Sequence, residues 1–161
     1  MNATIREYPP GDLDELARVM VPVWWDGPWQ HVDEEESRAY IERDLDRDAE
    51  ILVAADDGII GFTWAYPLAN REEPLPDDED FWEQLDEPTA YIAELGVVPE
   101  RREEGIGTAL MERLLARISP DFGSAVLRTH PDVEPAIRLY EKLGFERTGF
   151  HDVDKPERVL L

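Results

Sequence analysis

The chain has 161 residues, no cysteine, and 38 Asp and Glu against 16 Lys and Arg, a formal net charge of -22. That length fits one domain over residues 1–161 with a single core, and the missing cysteine excludes a disulfide framework, a thiolate metal site and a cysteine nucleophile together. The charge makes nucleic acid and anionic membranes poor partners, because a phosphate backbone is bound by Lys and Arg that replace its counterions.

The start of the chain, Met1-Asn2-Ala3-Thr4-Ile5-Arg6-Glu7, has no apolar run of the signal type, and no apolar run reaches the roughly eighteen residues of a membrane span. A soluble, cytoplasmic protein is expected. Two readings of the charge stand side by side, a surface adapted to molar salt and a surface for a basic partner. Salt adaptation, of the kind found in halophilic cells, is favoured: the only lysines are Lys142 and Lys155, and the acids are scattered rather than gathered in one tail. At 1 M salt the Debye length is about 3 Å, so self-repulsion is largely screened there.

Residues 3–8 read as a first strand, and Pro9-Pro10-Gly11 turns into a helix over 12–23, with Leu13, Leu16, Val19 and Met20 at helical spacing. A loop follows, Trp24-Trp25-Asp26-Gly27-Pro28-Trp29-Gln30-His31. Asp33 then caps a second helix through residue 48, with Tyr40, Ile41 and Leu45 inward and an acidic outer face. Strands over 50–55 and 59–66 flank Asp56-Asp57-Gly58, a hairpin turn sequence. Residues 67–88 are longer than a usual connection, and read either as a flap with a short helix over 80–85 or as a disordered segment. A strand over 90–98, a helix over 105–118 and a strand over 124–129, apolar enough for burial on both faces, come next. A helix over 135–143, stopped by Gly144, and strands near 146–153 and 158–161 complete the chain.

The most informative stretch is Leu95-Gly-Val-Val-Pro-Glu-Arg-Arg-Glu-Glu-Gly-Ile-Gly-Thr108, a strand ending at a proline and turning through two glycines into a helix. Backbone N–H groups at a helix start lack internal partners and carry the positive end of the peptide dipoles, so they form a cradle for an anion. Gly105 and Gly107 leave that cradle open to a diphosphate. The same glycines also serve a tight turn with no ligand. A second segment, Glu134-Pro-Ala-Ile-Arg-Leu-Tyr-Glu-Lys-Leu-Gly-Phe145, follows about thirty residues later.

Together the two segments resemble the signatures of the GNAT superfamily of acetyl-CoA-dependent N-acetyltransferases, Leu-x-Val-x-Pro-x-x-Arg-x-x-Gly-x-Gly and Ala-x-x-Leu-Tyr-x-x-x-Gly-Phe. Leu95, Val97, Pro99, Arg102, Gly105 and Gly107 match the first, and Ala136, Leu139, Tyr140, Gly144 and Phe145 the second. The resemblance implies an α/β GNAT (acyl-CoA N-acyltransferase) fold, a mixed twisted β-sheet flanked by about four helices. It implies acetyl-CoA as cosubstrate and direct acetyl transfer to a primary amine of a small molecule or protein, and it leaves homodimerisation open.

On that resemblance the cofactor-binding residues are Leu95, Val97, Arg102, Glu103, Glu104, Gly105, Ile106, Gly107, Thr108 and Ala136. The backbone over 102–108 holds the diphosphate, and Val97 offers main-chain hydrogen bonds to the pantetheine arm. A strand amide facing the thioester oxygen could contribute about 3–4 kcal/mol to the oxyanion-like transition state. Glu103 and Glu104 are unusual beside a diphosphate; the preferred reading is that they are solvated first-turn acids favoured by the helix dipole. Val133 stands where many members carry an asparagine.

Tyr140 takes the position of the general acid that protonates the departing thiolate, and it is also a core aromatic, since Ile137, Tyr140 and Leu143 share one helix face. An alkyl amine with pKa near 10.4 is neutral in only about one molecule in 10³ at pH 7, so a base is needed. Glu94 is the candidate, sharing with Gly96 the strand face opposite Leu95 and Val97. A structural Glu paired with an arginine is the other reading, because some relatives carry the acid earlier, where Tyr91 and Ala93 stand here.

By the same resemblance Trp24, Trp25, Trp29 and His31 shape the acceptor pocket, with Phe81 and Trp82 as lid residues. Indole faces bind a cation with about 0.5–2 kcal/mol, and the same tryptophans could simply plug one end of the domain. His130 and His151 read as surface histidines, and no spacing of His with acids suggests a metal. Two other classes stay open: an acyl-CoA-binding module that has lost transfer, and an acidic interaction domain for a basic partner. A dinucleotide-binding oxidoreductase is disfavoured by Leu110, which stands where the full Gly-x-Gly-x-x-Gly run has its third glycine.

Overall fold

A computed structural model describes residues 3–8, 10–25, 32–68, 79–83, 85–86, 88–129, 134–146 and 159–160. Its strands are ordered β1-β2-β3-β4-β5 in one mixed sheet, with β6 and β7 forming a separate pair. The chain divides into two units, Met1–Tyr66 with Glu94–Arg117, and Pro67–Ala93 with Ile118–Leu161. β4 (Thr89–Val97) runs through both.

In the first unit β1 (Thr4–Glu7) pairs antiparallel with β2 (Glu50–Ala55), and β2 with β3 (Ile59–Pro67). The β2–β3 turn forms because Asp57 and Gly58 accept positive φ, 53° and 125°. Strand alternation then sorts β3. Gly61 and Thr63 face α4 (Ile106–Ile118): a Cβ on Gly61 would lie 3.1 Å from Leu110 Cδ1 and 3.3 Å from Ile106 Cγ2, so the missing side chain lets the start of α4 seat closely on the sheet. Trp64 points the other way and donates its indole N–H to Asp44 Oδ2 of α2 (Glu34–Leu45) at 2.8 Å. α1 (Leu13–Trp25) packs beside α2 and buries Leu16, Ala17 and Met20 completely.

Asp33 caps α2 as expected, its Oδ1 accepting the Glu36 N–H at 2.8 Å. The helix is shorter than the acidic run suggested, ending at Leu45, after which Asp48 takes φ 61°. Leu45, expected inward, is 37% exposed, and it is Asp44, one residue earlier, that is fully buried. The indole N–H of Trp64 supplies the hydrogen bond that a buried carboxylate requires. α1 starts at Leu13 after a 3-10 turn over Pro10–Asp12, and it continues through Trp24 and Trp25, which were expected in the following loop.

In the second unit the first residues of β4 pair parallel with β5 (Ser124–Val126), Thr89 to Ser124 through Tyr91 to Val126. Ser124 Oγ donates to the Asp86 carbonyl at 2.8 Å, and a Cβ on Gly123 would lie 2.8 Å from that same oxygen, so only glycine fits there. The short helix expected near 80–85 is α3 (Glu79–Glu83), with Trp82, Leu85 and Leu68 packed on Val126. The single strand expected over 124–129 is divided: after Leu127 the chain enters β6 (Arg128–Thr129), which pairs antiparallel with β7 (Val159–Leu160). The strand expected near 146–153 lies almost wholly outside the described residues, as do residues 69–78 of the expected flap.

α5 (Glu134–Lys142) ends as its glycine dictates. Gly144 adopts φ 104°, its N–H donates to the Glu141 carbonyl at 3.1 Å, and the Phe145 N–H reaches back to the Tyr140 carbonyl at 3.0 Å. The Tyr140 and Phe145 rings meet edge to face with centroids 6.1 Å apart, the apolar contact that accompanies such a stop.

Candidate functional site

The stretch between β4 and α4 is built by two left-handed residues. Pro99–Arg101 form a 3-10 turn, Arg102 is extended, and Glu103 and Gly105 take φ 65° and 83°. The Gly105 carbonyl accepts the Ala109 N–H at 3.0 Å, which makes Gly105 the N-cap of α4. The N–H groups of Gly105, Ile106, Gly107 and Thr108 therefore precede the first intrahelical donor, and they have no hydrogen-bond partner among the described residues. A Cβ on Gly105 would meet nothing within 4 Å. Glycine adopts that φ without the strain a side chain would bring, and the space over it is open to a ligand.

Ile106 anchors this cradle from below. Its side chain is buried to 1% exposure against the sheet, while Glu103, Glu104 and Gly105 are exposed and Gly107 and Thr108 half-buried. Arg102, the expected diphosphate-facing base, is exposed and donates its Nε–H to the Val97 carbonyl at 3.2 Å. That carbonyl was expected to serve an extended ligand; a carbonyl oxygen has two lone pairs, so one acceptor site remains beyond the Arg102 bond. Sequence reasoning missed Arg101. Its guanidinium forks onto Glu104 and reaches Asp56 in the β2–β3 turn, and these hydrogen bonds raise its pKa above the ordinary arginine value. A partner 45 residues away leaves no local signal.

β4 leads into the cradle with one side open. Its parallel pairing with β5 stops at Tyr91, and from Ile92 to Val97 no strand pairs with it on that side among the described residues. Leu95 and Val97 are half-buried along this stretch. Gly96 faces α1: a Cβ there would lie 2.4 Å from Phe62 Cζ and 2.8 Å from Val23 Cγ1. Glu94 alternates onto the same face as Gly96 and is half-buried. Its carbonyl accepts the hydroxyl of the fully buried Thr63 at 2.7 Å, a contact that sequence alone did not suggest.

Tyr140 and Ala136 lie on α5, in the second unit, Tyr140 buried to 9% exposure and Ala136 half-buried. Of the residues expected to shape an acceptor pocket, Trp24 and Trp25 end α1, and Trp29 and His31 lie outside the described residues, as do His130, Val133 and His151. Trp82, expected at a lid, packs on Val126. Among the described residues no group of three or more His, Cys, Asp or Glu could hold a metal ion, and no helix is long and apolar enough to cross a membrane.

The whole arrangement has close structural parallels. PH1933 from Pyrococcus horikoshii OT3 superposes with a TM-score of 0.74 at 21% identity, covering 98% of this chain and 95% of that one. The PaiA N-acetyltransferase of Thermoplasma acidophilum, solved in complex with coenzyme A, superposes with a TM-score of 0.70 at 20% identity, covering 99% and 97%. In sequence, the mycothiol acetyltransferase of Brachybacterium faecium is 32% identical over 119 residues, 70% of this chain and 32% of that protein. The chain spans about a third or less of the length of the curated relatives it matches. The mixed sheet with, among the described residues, four helices of nine residues or more, α1, α2, α4 and α5, is the GNAT fold. Residues 15–145 match the model of the acetyltransferase (GNAT) family, and the chain belongs to that family.

Proposed function

We propose that the chain transfers an acetyl group from acetyl-CoA directly to a primary amine. One observation carries the reading: four N–H groups at the N-terminus of α4, without a hydrogen-bond partner among the described residues and beside open space at Gly105, follow a strand that among those residues is left unpaired on one side. The cradle over 102–108 would hold the diphosphate, and the open side of β4 at Leu95 and Val97 would accept the pantetheine arm as an extra strand. The coenzyme A complex of the PaiA neighbour supports a ligand of this class.

In this account Glu94 takes the proton of the incoming ammonium, directly or through water. The amine nitrogen then bonds to the acetyl carbon, the carbon–sulfur bond breaks, and the Tyr140 hydroxyl gives its proton to the departing thiolate; the second nitrogen proton, lost as the amide forms, passes through water to restore that hydroxyl, and Glu94 releases its own proton to solvent. The account involves no acyl-enzyme, the chain having no cysteine to act as nucleophile. Ala136 lines the cosubstrate, and Trp24, Trp25, Trp29 and His31 shape the acceptor site. The acceptor is an amine of a small molecule or of a protein, and the chain works as one domain, which the match of one family model across both units supports. A salt-adapted surface is the reading that the charge favours, and a cytoplasmic location is the reading that goes with the absence of cysteine.

Release of free thiol from acetyl-CoA, followed against a panel of aminoglycosides, polyamines, amino acids and peptide N-termini in molar KCl, tests this. Thiol release with at least one amine class is expected. Tight binding of coenzyme A without release for any amine would identify a binding module instead.

A further inference from the structure

The cradle contains an electrostatic conflict. Glu103 and Glu104 stand at the mouth of a site for a dianionic group, in a chain of net charge -22. Their fates differ: Glu103 is solvent-exposed in a left-handed turn, whereas Glu104 is drawn onto Arg101. Arg101 Nε donates to Glu104 Oε2 at 2.9 Å, Nη2 to Oε1 at 3.2 Å, and Nη1 to Asp56 Oδ2 at 2.9 Å. The planar fork of a guanidinium suits this double engagement, and a lysine's point charge would not reproduce it. Three of its five N–H donors are thus turned onto carboxylates.

We propose that Arg101 is a positioning residue of the diphosphate cradle: it neutralises Glu104 and Asp56 and ties the β2–β3 turn to the start of α4, without touching the ligand itself. The proposal rests on the acyl-CoA reading of the cradle. It assigns adjacent arginines different tasks, Arg101 bound to two carboxylates and Arg102 to the Val97 carbonyl. It also accounts for a cradle that tolerates glutamates, since one of the two is paired before the ligand arrives.

Calorimetric titration of coenzyme A into the full chain at about 0.05 M and about 1 M KCl tests it, because the Debye length falls from more than 10 Å to about 3 Å between them. Arg101→Gln is expected to weaken binding about tenfold in low salt and about twofold or less in high salt, the uncovered carboxylates being screened there. The triple variant R101Q/D56N/E104Q is expected to return to within about threefold of the wild type in low salt, since the uncovered charges are gone. D56N/E104Q with Arg101 intact keeps oxygens that accept from the guanidinium and should bind at least as tightly as the wild type, an answer that does not depend on R101Q folding. Wild-type affinity in R101Q, or an equal loss in R101Q and the triple variant at both salt levels, would overturn the proposal. A wild type that binds no coenzyme A at all would overturn the reading beneath it as well.

Discussion

Tyr140 illustrates how one side chain can serve two ends. Its ring is fixed by the edge contact with Phe145 at the stop of α5, which explains an aromatic residue there whatever the hydroxyl does. Tyr140→Phe keeps that ring, so the melting temperature and coenzyme A affinity should hold while kcat falls about 10²-fold or more, the usual scale of a lost general acid; unchanged kcat in a steady-state assay would remove the acid role. Gly96 is fixed by sterics alone. With Phe62 Cζ only 2.4 Å from where a Cβ would stand, Gly96→Ala should destabilise the fold by about 1–3 kcal/mol in urea unfolding. Tyr8 is a liability of another kind: its hydroxyl is buried with no partner among the described residues. Burial first, then Asp12 and Glu42, raise its pKa, and burial chiefly raises that of Tyr66. A folded-state pKa above the unfolded value of about 10 means full stability below pH 10 and progressive loss as pH rises through the raised values. Tyr8→Phe should therefore flatten part of that alkaline loss in thermal melts, and should leave the protein as stable or more stable at pH 7, because an unpaired hydroxyl is removed.

At the level of elements, the sequence was most legible where one local rule decides. Asp33 as cap, Asp57-Gly58 as turn and Gly144 as stop all appear where their chemistry placed them. For the last of these, Gly144→Ala forces a side chain into φ 104° and should cost about 1–3 kcal/mol, read from chemical denaturation, with the loss confined to stability. The strand–turn–helix over 95–108 was equally plain, since proline and two glycines leave few alternatives. What local pattern could not supply was partnership across long sequence distances. Asp44 looks like one more acid on a solvated helix face until Trp64, twenty residues on, donates to it at 2.8 Å. Arg101 looks like part of a basic pair until Asp56 and Glu104 claim it. The continuous apolar run over 124–129 concealed the division into β5 and β6, because hydrophobicity reports burial and not which neighbour a strand pairs with. The tryptophans also misled: Trp24 and Trp25 prolong α1, and their spacing carried no signal for that.

For the whole molecule the governing quantity is charge. With 38 acids and 16 bases, the native state works against its own field, and ion pairs such as Arg117 with Glu7 and Glu50 or Arg6 with Asp12 neutralise only part of it. Such exposed pairs contribute about 0–1 kcal/mol each, too little to set the balance. Screening is the larger lever, and the melting temperature should rise steadily from about 0.1 M to beyond 1 M KCl; a melting temperature indifferent to KCl over that range would refute salt adaptation. A basic partner predicts a different pattern, since its binding would weaken as salt rises. Binding itself falls to the four amides that open α4. In amide-resolved NMR at high KCl, added coenzyme A should shift the signals of Gly105, Ile106, Gly107 and Thr108 more than any others in the first unit, with Val97 next. Uptake of coenzyme A that leaves those four signals in place, or no uptake at all, would contradict the account.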